Sequence, residues 1–98
     1  MKPYTLSTWV VKAGREDEFL RLWQDFADWT VTENFAQSAM LLRDVDHPNR
    51  FVSLGPWHTV EEVGRWRDTT GFAERIARLR EVLESWEPQT LELVFETS

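Results

Sequence analysis

The side chains of this sequence that could move a proton or hold a reacting oxygen narrow, by their types and spacing, the chemistry open to it. The imidazole of His58 has an ordinary pKa near neutrality and could serve as a general base. It stands directly before Thr59, at what reads as a helix start, where a histidine is equally an exposed neighbour of the cap. Arg43 lies between Leu41 and Val45 in a strand-like run, where its charge must be paired or aimed into a cavity. A salt bridge between subunits competes with that role. Trp66 stands beside a helical stripe of Val60, Val63 and Arg67; its ring could line the mouth of a pocket and its N–H reach a substrate carbonyl, although core packing accounts for it too. Ser7, with Thr5 and Trp9 on the same side of the first strand, leaves a polar gap that suits a ligand or ordinary strand alternation. Trp9 and Trp57 could line the same space or fill a seam between subunits. The candidates are therefore Trp66 and His58 for catalysis, and Ser7, Trp9, Arg43 and Trp57 for holding a substrate.

Several chemistries fall away. The chain has no cysteine, so disulfides, thiolate nucleophiles and iron–sulfur ligation are closed to it. His47 and His58 flank a strand with no carboxylate spacing that completes a metal motif, and no metal or tightly bound cofactor is expected. No glycine-rich phosphate loop, nucleophile elbow or Ser-His-Asp arrangement is present. A formal net charge of -6 argues against nucleic acid as a partner. No apolar run approaches the roughly 20 residues that span a bilayer, and Met1-Lys2-Pro3-Tyr4 leads into a strand pattern without a signal-peptide core. The cytoplasm is the default location, with no membrane partner.

Elements able to position these residues follow from the patterning. Tyr4 to Val11 alternates as a strand. Glu16, Asp17 and Glu18 open a helix that starts near Arg15, buries Phe19, Leu22, Trp23 and Phe26, and ends near Trp29 or Thr30. Ala39 to Val45 and Phe51 to Trp57 form a hairpin across the turn Asp46-His47-Pro48-Asn49-Arg50. Thr59-x-x-Glu62 is a capping box that opens a short helix ending near Asp68. A further helix is expected from Phe72 to Trp86, stopped by Pro88, and a last strand from Thr90 to Glu96 with Leu91, Leu93 and Phe95 inward.

The order β-α-β-β-α-β predicts one α+β domain over residues 1–98, ferredoxin-like, with an antiparallel sheet and the helices on one face. Period-two alternation then forces half of the apolar strand residues away from the helices. That second apolar face exceeds what monomers normally expose, so a homodimer packed sheet to sheet is expected.

In this order, three stretches resemble the antibiotic biosynthesis monooxygenase superfamily, the dimeric α+β barrels. They are Lys12-Ala13-Gly14-Arg15-Glu16-Asp17-Glu18-Phe19 after the first strand, Leu42-Arg43-Asp44 before the turn that runs to Phe51, and Trp57-His58-Thr59-Val60-Glu61-Glu62 leading through Trp66 to Gly71-Phe72. The resemblance spans nearly the whole chain and implies a small cofactor-independent monooxygenase acting on an aromatic or polyketide-type molecule. It leaves open a non-catalytic dimer that binds an apolar small molecule. Haem-degrading relatives carry an Asn, a Trp and a His where this chain has Ser7, Trp66 and Ile76, so that branch is disfavoured for want of an imidazole.

Overall fold

The computed structural model describes residues 2–98. Its elements are β1 (Lys2–Val11), α1 (Glu16–Thr32), β2 (Met40–Arg43), β3 (Arg50–Pro56), α2 (Val60–Arg67), α3 (Thr70–Arg80) and β4 (Leu83–Leu93). The strands form one antiparallel sheet in the order β2-β3-β1-β4. With α2 and α3 as two parts of one helical crossing, this is the ferredoxin-like α+β fold.

Each helix begins for a local reason. Glu16, Asp17 and Glu18 sit in the first turn of α1, where exposed N–H groups favour negative charge. Thr59 caps α2 as the sequence requires, its hydroxyl accepting from the Glu62 N–H at 3.2 Å while the Glu62 carboxylate accepts the Thr59 N–H at 3.0 Å. Thr69 joins α2 to α3. Its hydroxyl donates to the Trp66 carbonyl at 2.8 Å and accepts from the Phe72 N–H at 3.1 Å.

Period two sorts the sheet into two faces. Pro3, Trp9 and Val11 of β1, Phe51 and Gly55 of β3 and Leu83 of β4 are buried toward the helices, with Phe19, Phe26, Val63, Ile76, Leu79 and Val82 packed over them. The face turned away carries Tyr4, Leu6 and Val10 of β1, Val52 and Leu54 of β3, and Met40 and Leu42 of β2. Met40 and Leu42 are 55% and 51% exposed. All six tryptophans pack on the helix side, so none fills a seam on the second face.

The final third departs from expectation. The helix thought to run to Trp86 ends at Arg80, and Leu83 and Trp86 belong to β4. Leu79, Leu83 and Trp86 continue a helical spacing, but an irregularity between Val10 and Val11 of β1 places Leu83 and Trp86 on the helix-facing side of a strand as well. Pro88 therefore does not stop a helix. It lies opposite Ser7 in β4, an edge strand, where a missing N–H is tolerated. Leu91 and Leu93 do not point inward: they share the second face with Tyr4, and Phe95, beyond the strand, is 80% exposed.

Candidate active site

Four indole N–H groups converge on the space between sheet and helices, and each donates to a hydroxyl. Trp9 donates to Ser53 at 2.9 Å, Trp57 to Thr5 at 2.9 Å, Trp66 to Thr30 at 3.0 Å and Trp86 to Ser7 at 3.1 Å. Strand register brings three of these hydroxyls together. Ser7 is directly opposite Ser53, and Thr5 lies one pleat along on the same face of β1. Thr30, on α1, passes its own proton to the Phe26 carbonyl at 2.8 Å, which uses up that hydroxyl.

Two small chambers lie here and share Thr5, Ser53, Phe26 and Trp66 as a common wall. The first, about 40 Å³ in space open to the centre of a water molecule, is bounded by Trp23, Trp57, Gly55 and the Ala36, Ser38 and Ala39 stretch before β2. The second, about 30 Å³, is bounded by Ser7, Trp9, Arg67, Phe72, Trp86 and Pro88. Each has room for a few waters at about 10–15 Å³ apiece; an aromatic ligand requires the walls to part. Arg67, Phe72 and Trp86 also border an open groove that reaches Ile76 and Arg80, with the Arg80 guanidinium 5.3 Å from the Trp86 ring centre.

Of the six residues expected from the sequence, Ser7, Trp9, Trp57 and Trp66 border these chambers and two do not. His58 is exposed and bonds to the Gln37 side chain at 2.9 Å. Arg43 is exposed on the edge strand β2, its guanidinium 4.8 Å from the Phe51 ring centre, and it lines neither chamber. The Trp66 N–H is held by Thr30, so the residue offers the chamber its ring and not the donor expected of it. Ile76 is buried in the core at 5% exposure and brings no ligating atom. Among the described residues no three His, Asp or Glu side chains gather as a metal site.

Arg67 is not singled out by the sequence pattern alone. It ends α2, donates to the Thr90 hydroxyl at 3.2 Å and forms no ion pair among the described residues. Burial lowers its pKa, which marks the cost of holding a partly desolvated cation beside the chamber. Its place in the Val60, Val63 helical stripe was the signal that could have drawn attention to it.

The profile of the antibiotic biosynthesis monooxygenase family matches residues 6–87. The chain belongs to that family. Solved members and look-alikes superpose over nearly all of this monooxygenase-family chain. SnoaB from Streptomyces nogalater, described as a cofactor-independent oxygenase and solved as a mutant, has a TM-score of 0.88 at 18% identity, covering 97% of this chain and 95% of its own. The Mycobacterium tuberculosis protein Rv0793 gives 0.85 at 14% identity with 100% of both chains covered. A conserved protein of Methanosarcina mazei gives 0.84 at 17%, covering 93% and 91%. At these identities the likeness is one of fold. Comparison with curated protein sequences returned no match.

Proposed function

We propose that this chain is a cofactor-independent oxygenase acting on an aromatic or polyketide-type compound. The observation that carries the reading is the paired chamber between sheet and helices, walled by Trp9, Trp57, Trp66, Trp86, Phe26 and Phe72 and floored by Thr5, Ser7 and Ser53. Aromatic walls stack on a ring system and keep water from it, and a few hydroxyls fix its oxygens. In such a reaction a phenol or enol loses its proton, and the anion passes an electron to dioxygen. The resulting pair combines at carbon as a peroxide. Loss of water then leaves a ketone, so that a CH₂ and O₂ become C=O and H₂O, with the four electrons lost by carbon taken up by dioxygen. Trp66 and Trp57 hold the ring, Ser7 and its neighbours the oxygen; His58 and Arg43 take no part.

Oxygen uptake on a panel of anthrones and quinols tests the reading, with one labelled oxygen atom from ¹⁸O₂ expected in the product. Compounds that bind and are recovered unchanged would instead make the chain a binding module. The homodimer is part of the same proposal, supported by the apolar second face, and the cytoplasm is its proposed location. No helix among the described residues is long and apolar enough to cross a membrane.

A further inference from the structure

The hydroxyls of Thr5, Ser7 and Ser53 each accept an indole N–H, and none finds an acceptor for its own proton among the described residues. A hydroxyl has one proton to give, and accepting a hydrogen bond sharpens it as a donor. All three line the second chamber, and Arg67, which carries further donors, lines it too. The chamber thus offers donors and a positive charge, and its walls include no carboxylate or imidazole. Apart from Arg67, none of the ionisable residues on the surrounding elements is among those that line it. Asp25 of α1 pairs with Arg75 of α3 at 3.2 Å, Glu84 of β4 lines a separate surface recess, and His58 is exposed against Gln37. The groove outside is bordered by Arg67 and Arg80 in a protein whose net charge is -6.

We propose that the ligand binds as a preformed oxyanion whose charged oxygen enters this chamber, held by the Thr5, Ser7 and Ser53 hydroxyls and Arg67, its proton lost to water before binding and not to a side chain. This rests on the oxygenase reading only for what happens after binding. A protein base is then unnecessary, and the acidity of the ligand sets the pH at which it is taken up. Neutral ethers of the same shape lose the charge-assisted bonds and bind more weakly.

Quenching of tryptophan fluorescence by a hydroxynaphthoquinone, an anion at neutral pH, and by its neutral methyl ether provides the test. The anion is expected to bind at least about tenfold more tightly than the ether, with affinity falling as pH drops through the hydroxynaphthoquinone's own pKa. Arg67→Met should erase most of that preference, with an unchanged near-UV circular dichroism spectrum showing that the variant is folded. Equal affinity for the two compounds would overturn the proposal, as would a preference untouched by Arg67→Met. Turnover separates this from the reading beneath it. Selective anion binding without oxygen uptake by any anthrone would sink the oxygenase and keep the oxyanion site. Oxygen uptake with one fixed pH profile for substrates of different acidity would do the reverse.

Discussion

The indole nitrogen of Trp66 is bonded to Thr30 in a buried position, so a substrate carbonyl would have to displace an existing hydrogen bond to use it. Trp66→Phe removes that bond but keeps a ring against the chamber. It should cost about 1 kcal/mol in urea unfolding, with turnover less affected than stability. Trp66→Ala, which also empties contacts with Phe26, Trp57 and Phe72, should cost about 3–5 kcal/mol. If instead Trp66→Phe abolished turnover in a stable protein, the N–H would have to reach substrate after all. The residue types of the site were legible in the sequence, but their pairing was not. Trp86 meets Ser7 across 79 positions and Trp57 meets Thr5 across 52, distances that only strand register closes. His58 and Arg43 were chosen by chemical type, and type says nothing about which side of a strand or cap is wet.

At the scale of elements, two close approaches decide how neighbours pack, and the first of them shapes a chamber. A Cβ at Gly55 would lie 2.5 Å from the Ser38 carbonyl oxygen, the backbone of the stretch that closes the first chamber. Gly55→Ala should push that stretch off β3, costing about 1–3 kcal/mol and changing ligand affinity more than a surface substitution does. Gly71→Ala drives a methyl into the Trp29 ring, where α3 crosses α1, and should cost a similar amount in the same unfolding assay. The β2–β3 turn carries a pH dependence of its own. Asp44 has its pKa lowered, chiefly by the Asp46 N–H at 2.8 Å, with His47 adding charge and hydrogen bonds. A carboxyl held lower when folded stabilises the turn above its unfolded pKa, and that stability is lost as pH falls through the folded value. Carboxyl titration by NMR should therefore show Asp44 below an unperturbed aspartate, and Asp44→Asn should remove the acid sensitivity of amide protection at residues 46 and 47. Strand β1, helix α1, the hairpin and the capping box could all be read from the chain, because alternation, charge and cap chemistry are local signals. The end of α3 could not, since Leu83 and Trp86 satisfy a helical stripe and a strand face alike; nor could the outward turn of Leu91 and Leu93, which depends on pairing with β1.

For the molecule as a whole, the sheet has a dry side and a side that lacks a cover. Tyr4, Leu6, Leu54, Met40, Leu42 and Leu91 lie on the face opposite the helices, and Val94 and Phe95 continue past β4 at 83% and 80% exposure. Apolar area on this scale is costly to leave in water, and a second copy of the same face is its simplest complement. Sedimentation at micromolar concentration is expected to give a dimer, and the melting temperature should rise with protein concentration because association stabilises only the folded chain. Placing charge at the centre of the face tests this directly. Leu42→Asp with Leu91→Asp puts unpaired carboxylates where two sheets would meet, a burial that a dimer does not tolerate. Neither side chain lines a chamber, so the double variant should become a folded monomer whose melting temperature no longer depends on concentration, with tryptophan fluorescence retained. A wild-type chain that sediments as a stable monomer would require some other cover for this face and would remove the dimer from the proposal.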